Sequence, residues 1–243
     1  MTLIDFFALH PKAALAFSGG VDSAYLYAAA KACGADIKAY FVNTAFQPAF
    51  ELADAKRLVP DLTVLELDVL ALPQVAENPA DRCYHCKTAI FTAIARQAKA
   101  DGYPVLLDGT NASDDLSDRP GYRALQELGV LSPLLLCGLT KDEIRRRSKA
   151  LDLFTWDKPA YACLATRIPT GTAIKPAVLK QVEGAEAALM ALGYSDFRVR
   201  VFHGAARVQL QQAQFPASPE AYSAIRQAVL PYFDTVLLDL NAR

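Results

Sequence analysis

The chain has 243 residues, 53% of them hydrophobic and 21% charged, the balance of a folded globular protein with room for one large domain or two small ones. Its 25 Lys and Arg against 26 Asp and Glu leave a net charge of −1, so the basic excess with which proteins grip nucleic-acid phosphates is missing. Residues 1–12 carry no basic-then-apolar export pattern, and no apolar run reaches the roughly 18–20 residues of a spanning helix; the chain reads as cytoplasmic, without a membrane partner.

In chain order, residues 13–17 are an apolar strand that runs into Ser18-Gly19-Gly20, and residues 21–33 are the helix that follows, stopped by Gly34. Residues 37–42 and 63–67 are further strands, with a helix over 50–59 between them that ends at Pro60. Ile90, Ile94 and Ala98 set the apolar face of a helix over 86–100, and the strand at 104–107 leads into Asp108-Gly109-Thr110-Asn111. Residues 119–128 are helical, and Thr140 caps a helix from 141 to about 151 with Glu143 as its capping-box partner. Strands alternating with helices predict an α/β fold, a Rossmann-like, doubly wound parallel sheet over residues 1–157. Ligands bind such sheets beyond the C-terminal strand ends, so the Ser18 and Asp108 loops are expected at one site. Residues 158–174, rich in Pro, Thr and Gly, read as a linker and active-site loop. Helices over 176–192 and 219–229 with strands at 197–202, 207–210 and 235–240 make 175–243 a smaller α+β domain for substrate binding or oligomerisation.

Ser18-Gly19-Gly20-Val21-Asp22-Ser23 lies between a strand and a helix. Glycines let the backbone turn and approach a ligand closely, and the free N–H groups of a helix start favour phosphate. Ser18 and Ser23 offer hydroxyls, and Asp22 offers a carboxylate for Mg²⁺ or for capping. No lysine lies in the loop, which separates it from the loop that cradles a transferring γ-phosphate.

The five cysteines are too few and odd in number for a secreted disulfide framework. Cys33 and Cys137 read as structural. Cys83 and Cys86 form a CxxC just before a helix, where thiolates are favoured; with three histidines and no second CxxC, a four-ligand zinc site is a weak reading. Cys163 sits in the loop between the domains, with Lys158 and Arg167 nearby in sequence to favour a nucleophilic thiolate. Arg198 and Arg200 fall on one face of a strand and Arg207 on the next, a guanidinium set for carboxylates or phosphate. Glu186 reads as a solvated helix-surface acid, with metal binding as its alternative.

The glycine loop resembles the pyrophosphate loop of the N-type ATP pyrophosphatases. Taken with Cys83-Tyr84-His85-Cys86-Lys87, Asp108-Gly109-Thr110-Asn111, Gly138-Leu139-Thr140-Lys141-Asp142-Glu143-Ile144-Arg145, Thr155-Trp156-Asp157-Lys158-Pro159 and Ala162-Cys163-Leu164-Ala165-Thr166-Arg167, it makes residues 10–210 resemble the LarE family. Those proteins are ATP-dependent sulfur transferases of nickel-pincer nucleotide biosynthesis. The resemblance implies that ATP adenylates a carboxylate of a pyridinium dicarboxylate mononucleotide, releasing pyrophosphate, and that the carboxylate becomes a thiocarboxylate. It implies adenine contacts near Phe41, Asn43 and Thr44, further ATP contacts at Gly109, Thr110 and Lys87, and Mg²⁺ at Asp22. It implies a substrate partner in Arg167, with Arg198, Arg200 and Arg207 beside it.

In one form of the family the cysteine matching Cys163 gives up its own sulfur and is left as dehydroalanine. In another, three cysteines hold a [4Fe–4S] cluster whose open iron carries the donated sulfide; Cys83, Cys86 and Cys163 match that set, and the cluster form is the one favoured here. Cys83 and Cys86 assisting by reduction or persulfide relay is the remaining alternative. The resemblance also implies a homo-oligomer, with a hexamer as the candidate. The sequence departs from the family pattern at Phe154, where Pro is expected, and at Gln209, where an acid is expected. A tRNA sulfurtransferase, an amide-forming ligase and a non-catalytic nucleotide-binding or iron–sulfur scaffold are the competing readings.

Overall fold

A computed structural model describes residues 1–115 and 120–243, so the Arg119 start of the predicted 119–128 helix lies outside the described residues. The elements are α1 (Leu3–Leu9), β1 (Lys12–Ala16), α2 (Val21–Ala32), β2 (Asp36–Asn43), α3 (Ala49–Leu58), β3 (Thr63–Glu66), α4 (Pro73–Ala76), α5 (Arg82–Ala100) and β4 (Leu106–Leu107). They continue with α6 (Pro120–Glu127), α7 (Pro133–Leu136), α8 (Lys141–Ala150), α9 (Pro176–Ala191), β5 (Arg198–Phe202), β6 (Ala205–Gln209), α10 (Pro219–Val229) and β7 (Val236–Leu238). The chain divides into two compact units: Met1–Thr44, Ala49–Val69 and Asp81–Lys158 form the first, and Ala45–Pro48, Leu70–Ala80 and Pro159–Arg243 the second.

The first unit is the doubly wound sheet. Its strands run parallel in the order β3-β2-β1-β4. Side chains alternate across a strand, so β1 and β2 feed two cores. Ala13, Leu15, Ile37, Ala39 and Phe41 pack with Leu26 and Ala30 of α2 and Ile144 of α8. Ala14, Tyr40 and Val42 pack on the other face with Phe91, Ile94 and Ala98 of α5 and Leu125 of α6. β2 and β3 lie to one side of β1 and β4 to the other, so the order reverses between β1 and β4, where such sheets open a ligand crevice. α1 was not foreseen: Thr2 and Asp5 close a full capping box on a seven-residue helix, and Phe6 and Phe7 bury its inner face. The Thr140 cap of α8 is present, but Glu143 does not close a box there; its carboxylate holds Arg146 and Arg147 instead.

The second unit carries a three-stranded sheet in the order β5-β6-β7. β5 and β6 form a hairpin whose His203-Gly204 turn has φ of 49° and 82°, the left-handed pair a two-residue turn requires. α9 and α10 cover it, and Gly184 lets the Tyr232 ring lie against α9; a Cβ there would stand 2.2 Å from the ring. The two outlying segments are tied in by backbone bonds: Leu164 N–H donates to the Phe46 carbonyl (2.9 Å), Gly171 N–H to Asn78 (2.8 Å) and Ile174 N–H to Ala76 (2.7 Å). Among the described residues no helix is long and apolar enough to cross a membrane.

Candidate active site

The glycine loop leaves the end of β1 and opens α2. Gly19 has φ of 72°, and a Cβ on it would come within 3.2 Å of Ala55 Cβ and the Glu51 carbonyl of α3, so only glycine fits. Gly20 is the N-cap of α2 and no side chain caps the helix, which leaves its first N–H groups to a ligand. Ser23 is buried, and its hydroxyl meets the Gly20 carbonyl (3.3 Å) and the Ser18 hydroxyl (3.2 Å). Ser23 therefore shapes the loop from within, whereas Ser18 is exposed.

Two other segments converge on this loop. Gly109, past the end of β4, packs so closely that a Cβ would lie 3.2 Å from Ser23 N and 3.3 Å from Asp22 Cβ. Asp108 fixes that turn by accepting from the Ser132 hydroxyl (2.6 Å) and from the Thr110 hydroxyl. The start of α8 is the second segment: Lys141, its first residue, donates its ammonium to Asp22 Oδ2. Lys141 stands in the Gly138–Arg145 motif, but sequence reading gave it no site role, because its partner lies 119 residues away. Burial pushes the Asp22 carboxyl above its ordinary range, against the pull of Lys141. Asp22 Oδ1 is buried with no hydrogen-bond partner, which makes it the atom a magnesium ion would fit.

Around this centre the expected adenine contacts divide. Phe41 is part of the sheet core, Thr44 is buried, and Asn43 donates to both carboxylate oxygens of Glu66 on the neighbouring strand (2.9 and 3.1 Å). The CxxC is not ahead of its helix but inside it: α5 begins at Arg82, so Cys83 and Cys86 lie one turn apart on one face. The Arg82 guanidinium donates to Cys83 Sγ at 3.5 Å. Lys87 follows and runs its stem against Gly121 of α6, where a Cβ would be 2.9 Å from Lys87 Cδ. Lys158, expected beside Cys163, belongs to the first unit and pairs with Asp54 at 2.7 Å. The Arg145–Arg147 run is committed too: Arg145 holds the Trp156 and Lys158 carbonyls (2.6 and 2.9 Å), and its two neighbours hold Glu143. Phe154, where the family has Pro, lies under the Arg57 guanidinium at 4.1 Å.

In the second unit Cys163 caps a short 3₁₀ turn, Leu164–Arg167, and is half-buried. The residues flanking it are pinned. Arg167 is 1% exposed and gives two parallel bonds to Glu186 (2.7 and 3.1 Å) and one to the Ala162 carbonyl (3.1 Å). Arg198 holds the Ala160 carbonyl (2.8 Å), Arg200 holds the Thr166 carbonyl (2.6 Å), and the Tyr161 hydroxyl donates to Glu186. Glu186 is thus no solvated acid: it is 1% exposed and also accepts from Val199 N–H (2.8 Å). The signal was there in the sequence, since Glu186 stands four residues after Val182 and seven after Leu179, on the apolar stripe of α9. Burial first, and then the Arg167 charge, pulls the Arg198 and Arg200 guanidinium pKa values down.

Of the expected substrate arginines, Arg167, Arg200 and Arg207 line a cavity of about 760 Å³, with Thr166, Phe202 and His203 among its other walls; Arg198 is buried and is not among them. Gln209, where the family carries an acid, accepts from Arg200 (2.6 Å) and donates to Asp239 (2.8 Å), and Asp239 lies 3.5 Å from Arg207 Nε. Among the described residues no group of three or more His, Cys, Asp or Glu is gathered to hold a metal ion. Cys83 and Cys86 belong to the first unit and Cys163 to the second.

No family model matches the chain. It is 37% identical over 221 residues to the uncharacterized protein slr1717 of Synechocystis sp., across 87% of this chain and 81% of that protein. It is 30% identical over 208 residues to pyridinium-3,5-bisthiocarboxylic acid mononucleotide synthase of Lactiplantibacillus plantarum, across 82% of this chain and 75% of that protein. It is 28% identical over 204 residues to the uncharacterized protein MJ0830 of Methanocaldococcus jannaschii, across 82% and 78%. A doubly wound sheet with a glycine loop at its switch point, and a synthase related over most of both chains, lead to one assignment: the chain belongs to the LarE family.

Proposed function

We propose that the protein is an ATP-dependent sulfur transferase that converts carboxylates of a pyridinium-3,5-dicarboxylate mononucleotide to thiocarboxylates. The observation that carries the nucleotide half is the uncapped start of α2 behind Gly19, met by Gly109, at the β1–β4 switch point. That is where backbone N–H groups and a helix dipole bind phosphate. The substrate carboxylate attacks the α-phosphorus of ATP, the bond to the β-phosphate breaks, and pyrophosphate leaves from the glycine loop. Asp22 Oδ1 is the ligand offered to the Mg²⁺ that travels with ATP.

The acyl adenylate then receives sulfur. In the sacrificial version the Cys163 thiolate attacks the acyl carbon and AMP departs. Loss of the Cys163 α-proton next breaks the Cβ–S bond, so the sulfur and its electron pair leave as thiocarboxylate and dehydroalanine remains. In the cluster version Cys83 and Cys86, on one face of α5, would supply two of the three thiolates of a [4Fe–4S] cluster and Cys163 the third, and such a cluster would bring a sulfide for donation on its open iron. Arg167, Tyr161 and Arg198 hold the Cys163 loop in either version, and Arg200 and Arg207 present guanidinium groups to the phosphate or carboxylates of the nucleotide.

The test is pyrophosphate release. With ATP and Mg²⁺ it should appear only when the dicarboxylate nucleotide is added, and anaerobic single-turnover mass spectrometry should show either Cys163 lighter by H₂S or an intact thiol with bound iron and sulfide. Release that ignores the nucleotide, or full thiocarboxylate formation by Cys163→Ala, would end the proposal.

A further inference from the structure

The cavity of the second unit is formed by two segments. One is the 3₁₀ turn that Cys163 caps, which contributes Thr166 and Arg167; the other is the β5–β6 hairpin, with Arg200, Phe202, His203 and Arg207. A volume of about 760 Å³ suits a small organic ligand.

The guanidinium groups have few donors left to offer. Arg167 engages all three nitrogens, Nε and Nη2 on Glu186 and Nη1 on the Ala162 carbonyl and the Thr166 hydroxyl. Arg200 commits Nε to the Gln209 amide and Nη1 to the Thr166 carbonyl, and Arg207 Nε lies 3.5 Å from Asp239. Both acceptors of Arg200 are neutral, so neither offsets its charge, and its Nη2 makes no hydrogen bond among the described residues. One spare charged donor suits a carboxylate better than a phosphate, which calls for several converging donors. Phe202 supplies the second feature. It is a large apolar side chain left 41% exposed at the cavity. The His203 ring packs edge-on against it with 4.6 Å between centroids, and the Arg207 guanidinium lies over it at 5.2 Å. Two neighbours thus hold the ring and leave it surface on which a flat ligand can stack.

Resting on the substrate reading above, we propose that Phe202 selects the ring of the substrate: the pyridinium ring stacks on Phe202 while one of its carboxylates pairs with Arg200. A positive ring gains from an aromatic face as well as from contact area. The competing accounts are that Phe202 stacks on the adenine of ATP, that the cavity takes the phosphate end of the substrate, and that Phe202 only supports Arg207.

The experiment is calorimetric titration of the full chain with the pyridinium-3,5-dicarboxylate mononucleotide and, separately, with AMP, on wild type, Phe202→Ala, Phe202→Leu and Phe202→Tyr. Loss of a stacked ring should weaken the dicarboxylate mononucleotide roughly tenfold in the Ala and Leu variants, and Phe202→Tyr, which keeps the ring, should stay within about threefold of wild type. AMP should bind all four proteins within about twofold. Nicotinamide mononucleotide keeps ring and phosphate but carries no carboxylate, and it should bind wild type about tenfold more weakly than the dicarboxylate. Loss of AMP affinity alone overturns the proposal in favour of adenine. Equal wild-type affinity for the two mononucleotides overturns it in favour of the phosphate end. Full dicarboxylate affinity in Phe202→Leu with loss in Phe202→Ala overturns it in favour of a support for Arg207. Full affinity in both variants overturns the role of Phe202 and leaves the substrate reading standing. A wild type that does not bind the dicarboxylate mononucleotide overturns both.

Discussion

Glu186 accepts four bonds: two from Arg167, one from the Tyr161 hydroxyl and one from Val199 N–H. The side chains of Arg167 and Glu186 are 0% and 1% exposed, so their charges have no water to fall back on. Removing one partner of such a pair strands the other, at a cost of about 3–5 kcal/mol. Glu186→Gln should therefore lower the stability of the protein by about that amount in urea unfolding. It should also speed alkylation of Cys163, because Arg167 then loses its anchor beside the Ala162 carbonyl. Unchanged unfolding and unchanged alkylation would show that the thiol loop is held by something else. The arginines read from sequence as substrate ligands thus divide by burial. Arg198 holds a backbone carbonyl from a buried position, while Arg200 and Arg207 face the cavity.

At the scale of elements, helix starts do most of the positioning. α2 begins bare and offers its N–H groups; α8 begins with a side-chain cap and so fixes where Lys141 emerges; α5 begins at Arg82 and thereby sets Cys83 and Cys86 on one face. Thr140→Ala removes the cap of α8 and should cost about 0.5–1 kcal/mol of stability. Thr140→Ser should unfold in urea as wild type does. A Thr140→Ala protein with wild-type stability would mean that the bonds from Lys141 N–H to the Ser113 hydroxyl and from Ala112 N–H to the Leu139 carbonyl suffice to hold the helix start. The hydrophobic spacing gave the helix bodies, because a 3.6-residue period is a local property. It did not give the starts of α5 and α1: α5 begins at Arg82 without a side-chain cap to announce it, and α1 is a short helix whose inner face is buried by Phe6 and Phe7.

For the whole molecule, the chain passes between its two units more than once, since Phe46, Ala76 and Asn78 take bonds from residues 164–174. A fragment ending at Lys158 would leave Phe46 and Val75, now 1% and 0% exposed, without the rest of their unit. It should bind a hydrophobic dye and aggregate where the full chain does not. A soluble, dye-negative fragment with cooperative unfolding would show that those two segments pack without Pro159–Arg243. The sequence by itself determined the alternation of the sheet strands with their longer helices, though not the short α1, α4 and α7, and it determined the glycine loop at the end of β1, the Asp108 turn at the end of β4 and the identity of the thiols. Each of those is written in a short stretch of chain as periodicity, turn chemistry or residue type. Only the tertiary structure decided that Lys141 meets Asp22, that Glu186 is buried under Arg167, and that Gln209 bridges Arg200 and Asp239. Which charges meet across tens of residues depends on how sheets and helices close over their cores, and the local pattern carries no record of it.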